Sequence, residues 1–273
     1  MNHLKKTMLA TATLILGLIG VASAQVTIQG EFSTDITFGE DNVMLSTPYT
    51  GLEFAGDQWT LSTMLSEDDN GNLNIGLDEA KYSWSVTDMF AVTFGRQAEP
   101  YGLAWGLHRP STNWFVSVPR EHVTQDGIGL AVTTDFGFGV QALYGNAIED
   151  GGDNYWGLRA SYSLSLETLK VAIGLSTNNN DAMLVDVTNS GDMIGVSYEV
   201  VLEYDMSDSD TEDYWLRSMI MPDFAKGTYF IIGMDSDEDD LVYGIGYQCS
   251  DKARISTELS GDGDTMIRVS YSF

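Results

Sequence analysis

Basic residues are scarce in this chain: 13 lysines and arginines stand against 40 aspartates and glutamates, for a formal net charge of −27. Such a surface repels a polyanion, which excludes nucleic-acid binding. Cysteine is nearly absent. With Cys249 alone there is no internal disulfide, and the class of small disulfide-stapled scaffolds is ruled out. Of three histidines, His3 lies in the leader described below, and His108 and His122 have no metal-ligand spacing around them. No GxSxG motif occurs. The acidic run from Asp235 begins like an EF-hand loop, but Asp240 stands where glycine is required and Gly246 where a bidentate glutamate is required. Nothing here points to a reaction, a cofactor or a dedicated metal site. After residue 24 no run of 18 apolar residues exists, so no membrane helix is expected. Proline is limited to five, and Pro100, Pro110 and Pro119 fall in one stretch.

What is present begins with an export signal. Lys5 and Lys6, an apolar run over 8–21 and Ala22-Ser23-Ala24 form the three regions of a cleavable leader, so residues 1–24 are expected to leave and Gln25 to begin the mature chain. Residues 25–273 then read as one domain of short strands. Period-two alternation is cleanest at the end, where Ile267, Val269, Tyr271 and Phe273 oppose Arg268, Ser270 and Ser272. It recurs with Leu169, Val171, Ile173 and Leu175 against Lys170, Gly174 and Ser176.

Sixteen strands follow, near 25–38, 43–55, 58–66, 73–86, 89–97, 126–134, 138–146, 154–164, 168–177, 182–188, 193–204, 213–221, 228–235, 241–249, 253–260 and 265–273. The 182–188 strand is the shortest, and Met219, Met221, Ile231 and Ile232 blur the alternation over 213–235; fourteen strands result if the short one and a neighbour are loops. Tight and long connections alternate. More than half of the 40 acidic residues fall in the longer set, all on one side by strand parity. Residues 98–125 form the third of these longer connections. This is the one extended interval without periodicity, and intervals of that kind are usually functional.

One face of nearly every strand is glycine, serine, threonine or charge, and the other is bulky and apolar. A soluble sandwich of this alternation has seven to nine strands about a packed interior. Here the polar face belongs inside. The fold expected is all-β: a transmembrane antiparallel β-barrel, which leaves no backbone group unpaired in hydrocarbon. Sixteen strands enclose a lumen too wide for side chains to fill, and the 98–125 connection is expected to fold into it as a constriction.

The leader, the sixteen-strand pattern, the long third outer loop and the terminal VSYSF ending in Phe273 resemble the trimeric general porins of Gram-negative outer membranes. That resemblance implies a homotrimer, passive diffusion of ions and small hydrophilic solutes, contact with outer-membrane lipid and lipopolysaccharide, and a final strand similar to the signal read by the barrel-assembly machinery. It also implies loop acids facing wall arginines across an eyelet. The loop here departs from that pattern, with Glu99 and Glu121 alongside Arg109 and Arg120.

Inward charges by parity are Glu79, Lys81, Arg159, Lys170, Glu199, Glu203, Arg217, Arg254, Glu258 and Arg268. Those taken as constriction candidates are Lys81, Arg159, Arg217, Arg254 and Arg268 on the wall, with Glu99, Arg109, Arg120 and Glu121 on the loop. For each, a solvated wall charge or a loop-anchoring ion pair is the competing role. A solute-specific channel for phosphate or oligosaccharide, and a structural or adhesive barrel of little conductance, are the alternative functions.

Overall fold

The protein is described from a computed structural model covering residues 26–39, 43–46, 50–67, 73–103, 113–117, 123–146, 154–179, 183–207, 213–236, 240–261 and 263–273. The leader lies outside these residues. Sixteen strands make one antiparallel sheet: β1 Thr27–Phe38, β2 in two pieces Val43–Ser46 and Thr50–Ala55, β3 Trp59–Glu67, β4 Leu73–Ser85, β5 Phe90–Ala98, β6 Thr124–Thr133, β7 Phe138–Asn146 and β8 Asn154–Ser165. There follow β9 Leu169–Asn178, β10 Met183–Asp192, β11 Val196–Asp205, β12 Asp213–Pro222, β13 Thr228–Asp235, β14 Asp240–Ser250, β15 Ala253–Leu259 and β16 Thr265–Ser272. Both pieces of β2 pair with β1, which is why they count as one strand.

Each strand pairs with its sequence neighbours, and β1 pairs with β16 to close the cylinder, from Glu31 opposite Ser272 to Phe38 opposite Thr265. Closure extends one residue further: Gly30 and Phe273 exchange backbone hydrogen bonds of 3.1 and 2.9 Å. A closed barrel removes the unpaired edges that an open sheet of this size would present.

The partition of side chains is that of an inside-out protein. Phe32, Phe94, Ile128, Leu130, Trp156, Leu158, Tyr162, Ile173, Ile232, Tyr243, Ile245 and Val269 are exposed along the outer wall, whereas Asp35, Asp186, Glu203, Arg217, Glu258 and Arg268 are buried on the opposite face. Water-soluble folds show the reverse.

The structure sharpens the strand pattern at three places. The segment expected to be the short strand 182–188 is a full strand, β10, paired with β9 and β11 along its length. The blur over 213–235 has a cause: Trp215, Met219, Tyr229 and Ile231 point inward and are buried, so that part of the inner face is apolar rather than polar. A β-bulge in β4 sets Asp78 and Glu79 together opposite Ser62. The extra residue reverses the parity of the strand, so that Ile75 on one side of the bulge and Tyr82 and Trp84 on the other all face outward. It also buries two adjacent carboxylates. The Ser62 hydroxyl sits between them, donating to Asp78 Oδ2 at 3.1 Å and accepting the Glu79 N–H at 3.0 Å.

Candidate functional site

Two stretches of the long third connection, 99–103 and 113–117, lie against the polar face of the wall. The first continues the β5–β6 ladder by one bond, Glu99 N–H to Val123 carbonyl at 3.1 Å, with the Gln125 amide donating to Glu99 Oε1 at 2.6 Å. It then turns away at Gly102. The Gly102 N–H donates to Ser176 Oγ on β9 at 3.1 Å, its carbonyl accepts from Arg159 on β8 at 3.3 Å, and the Leu103 N–H donates to Glu203 Oε2 on β11 at 2.7 Å. Gly102 has φ +67, and a Cβ there would stand 2.6 Å from Glu203 Oε2. Only glycine permits both this backbone conformation and this approach.

The second stretch is held by β12, β15 and β16. Glu258 accepts the Val116 N–H, the Ser117 N–H at 3.4 Å and the Ser117 hydroxyl at 2.8 Å. Arg217 reaches the same hydroxyl at 2.7 Å, Arg254 donates to the Asn113 carbonyl, and Arg268 donates to the Phe115 carbonyl at 3.1 Å. Backbone groups that leave a ladder and are shielded from water need such partners, and charged ones make the stronger bonds.

Apolar packing accompanies the polar grip. Phe115 is buried among Val201, Trp215, Met219, Tyr229 and Ile231, with Leu103, Trp114 and Met221 at the margin. Phe115 meets Trp215 edge-on at 5.5 Å between ring centres, and Trp114 meets Tyr229 at 5.1 Å. The Arg254 guanidinium lies 4.0 Å from the centre of the Trp114 ring. Burial of these side chains together removes apolar surface from contact with water, which favours the docked arrangement.

The wall arginines therefore have engaged partners. Arg159 forms a two-pronged pair with Asp186 on β10, Arg217 pairs with Asp235 at 2.7 and 2.8 Å and with Glu258 at 3.4 Å, and Arg268 pairs with Asp35 on β1 at 2.7 Å through both prongs. Each is a planar fork on a carboxylate, the geometry at which arginine exceeds lysine. Lys81 is held by Glu79 at 2.7 and 2.8 Å but remains partly exposed. Arg109, Arg120 and Glu121 lie outside the described residues.

Elsewhere on the inner face the described residues border a cavity. A cavity of about 210 Å³ lies between β4 and β7, lined by Lys81, Ser83, Thr93, Gln97, Glu99 and Gln141 among others. Inward positions nearby are small: Gly127, Gly129 and Ala131 on β6, and Gly139 and Gly145 on β7. Sequence reasoning placed Lys81 and the four wall arginines on the inner face and Glu99 on the connection, and the structure brings Arg217, Arg254 and Arg268 to one stretch of the connection and Arg159 to the other. It missed Asp35, Asp78, Asp186 and Asp235. Parity carries the signal for Asp35, Asp186 and Asp235, whereas the bulge hides Asp78. Among the described residues no group of three or more His, Cys, Asp or Glu is placed to hold a metal ion.

No family model matches the chain, and no curated protein matches it by sequence. Solved structures do share its fold. A loop L8 deletion mutant of OmpT, an outer membrane protein of Vibrio cholerae, is similar at a TM-score of 0.58 and 13% identity, over 92% of this chain and 100% of that one. The in-vitro folded OmpT in its trimer form gives the same values. A mutant of the Rhodopseudomonas blastica porin is similar at a TM-score of 0.58 and 12% identity, over 91% of this chain and 100% of that chain. What is shared at this identity is the fold, a closed antiparallel barrel of sixteen strands.

Proposed function

We propose that the chain is an outer-membrane porin, a water-filled channel for passive diffusion of ions and small hydrophilic solutes, assembled as a homotrimer. The observation that carries this reading is the asymmetric filling of the inner face. From β8 round to β16 the wall holds stretches 99–103 and 113–117 through arginines, carboxylates and an apolar cluster. From β4 to β7 the described residues border a cavity lined by Lys81, Glu99 and hydroxyl, amide and small side chains. The 98–125 connection folds into the lumen and narrows it from one side, and solute passes along the other.

On this reading most wall arginines work as fasteners and not as a free row of positive charge. Arg159, Arg217 and Arg268 each already hold a carboxylate, which screens them from a passing ion. Lys81 and Glu99 face the open side and contribute to the constriction, with Arg109, Arg120 and Glu121 as its further charges. A second reading, a solute-specific channel, is favoured for oligosaccharide by the Ser83, Thr93, Gln97 and Gln141 lining, and is disfavoured for phosphate because those three arginines are engaged. The final strand, ending at Phe273, is the segment proposed to meet the assembly machinery, and the outer wall meets lipid and lipopolysaccharide.

Single-channel recording in a planar bilayer under a salt gradient tests the proposal. Discrete steps closing in three equal sub-levels are expected. Silence from folded, heat-modifiable protein would refute a conducting channel and leave a structural barrel.

A further inference from the structure

The end of the barrel bearing the short connections carries large apolar side chains at its turn tips, where polar turn residues are the norm. Ile194 is 98% exposed, Phe224 90% and Phe136 69%, and Met89 and Leu166 are exposed as well. These residues sit in five successive short connections, 86–89, 134–137, 166–168, 193–195 and 223–227, from the β4–β5 hairpin round to the β12–β13 hairpin. The two remaining short connections are Gly56-Asp57-Gln58 and Asp251-Lys252, without an apolar tip. Apolar hairpin tips thus occupy one continuous arc of this rim; the rest carries the two polar tips and, at the seam between them, the exposed Phe273.

Ile194 makes the point most strongly. Met193 and Val196 exchange backbone hydrogen bonds of 2.8 and 3.2 Å, closing a two-residue hairpin with Ile194 at φ 52 and Gly195 at φ 76. Turns with positive φ at both positions favour Asn or Gly first. A β-branched residue there is strained, and no packing within the protein offsets the strain, because the side chain is almost wholly exposed.

Each apolar tip continues the apolar outer wall. Trp84 and Val86 lead to Met89, Val132 and Phe138 flank Phe136, Leu164 leads to Leu166, and Ile220 and Phe230 flank Phe224, all exposed. Each tip also has an acid beside it: Asp88, Asp135, Glu167, Asp192 and Asp223. An apolar side chain with a charge next to it suits the layer where acyl chains meet headgroups. A folded partner suits it poorly. Neighbouring hairpin tips are about two strand spacings, ~10 Å, apart, so the tips are islands and not the contiguous patch that a protein interface buries. Fluid lipid conforms to islands.

We propose that this arc is seated in the headgroup–acyl boundary of a phospholipid leaflet, with the tips Met89, Phe136, Leu166, Ile194 and Phe224 as anchors, while connections 56–58 and 251–252 remain in water. The neighbouring acids favour zwitterionic over anionic headgroups. The inference rests on the membrane-spanning reading of the barrel.

The test uses the full chain with Cys249→Ser, carrying singly Ile194→Cys, Phe224→Cys, Asp57→Cys or Leu158→Cys. Each is labelled with an environment-sensitive fluorophore and folded into phosphatidylcholine vesicles containing a lipid spin-labelled near the headgroup. Labels at positions 194 and 224 are expected to be quenched by that lipid and to be at least about threefold less sensitive to aqueous iodide than the label at position 57. Labels at 194 and 224 as open to iodide as that at 57, with the label at 158 on the outer wall still lipid-quenched, overturn the arc and leave the barrel reading standing. A label at 158 that is itself open to iodide overturns both. Lipid quenching at 57 equal to that at 194 overturns the division of the rim. Phe136→Cys replaces either tip variant that fails to fold.

Discussion

Replacing Phe115 by alanine separates the docked connection from the barrel that holds it. Phe115 is almost fully buried against Val201, Trp215, Met219, Tyr229 and Ile231, and truncation of such a ring costs about 3–5 kcal/mol when the surroundings cannot collapse into the space. Here they cannot, because Trp215, Met219, Tyr229 and Ile231 belong to strands fixed by their ladders on both sides. The barrel ladder does not involve Phe115, so the loss falls on docking of the connection alone. At 1.4 kcal/mol per tenfold, the docked-to-released ratio falls by about a hundredfold to a few thousandfold. Trypsin reads this ratio. The connection offers trypsin the Arg120–Glu121 bond, Arg109 being protected by Pro110, and where opening and closing outpace cleavage, the rate follows the released population. Cleavage should accelerate by a comparable factor, and single-channel conductance should rise and become noisier. Phe115→Leu, which keeps most of the apolar volume, should fall between parent and alanine. Parent-like cleavage and conductance from a Phe115→Ala protein that still shows the heat-modified shift of a folded barrel would refute the assignment of this cluster as the connection's anchor.

Four further outcomes follow from the contacts described. Glu258→Gln removes the charge that accepts from Val116, Ser117 and Arg217; at about 1.5–3 kcal/mol for a hydrogen bond to a charged group, tryptic cleavage should rise by about ten- to a hundredfold with barrel closure intact. Arg268→Lys loses the two-pronged pair with Asp35 across the closing seam, so about 1–3 kcal/mol of stability should go, read as a lower temperature for the gel shift from folded to unfolded mobility. Lys81→Gln should move the reversal potential toward cations, because Lys81 borders the open cavity. The double change Arg159→Gln with Asp186→Asn should leave the potential where it was, since those charges already cancel.

The strand plan was legible because each wall residue has only two places to point, outward or inward, and a period of two survives even weak side-chain preferences. That reasoning located β16 to within a residue, since Ile267, Val269 and Tyr271 alternate cleanly with Arg268, Ser270 and Ser272. It lost precision where the inner face stops being polar. Met219 and Ile231 look like errors in an alternating pattern until Phe115 is seen against them, and that contact joins residues more than 100 positions apart. Asp78 was missed for a related reason: a bulge shifts parity by one, and nothing in LDEA at 77–80 announces it. The partners of the arginines were invisible as well. Arg268 and Asp35 are 233 positions apart and meet only because the cylinder closes.

The grip on stretch 113–117 also constrains the order of assembly. Its fasteners Arg254, Glu258 and Arg268 sit on the last two strands, some 140 to 150 positions after the groups they hold. Until β15 and β16 are paired, Phe115 has its apolar seat on β11 to β13, but its carbonyl and the N–H of Val116 lack the charged partners of the closed barrel. A barrel of fourteen strands is therefore open at its seam and holds 113–117 only through the Phe115 cluster and Arg217. The polar grip on 113–117 is complete only when the chain's end is paired, and contacts this distant in sequence are slow to form. The same two strands that complete the wall complete the grip on 113–117 within it.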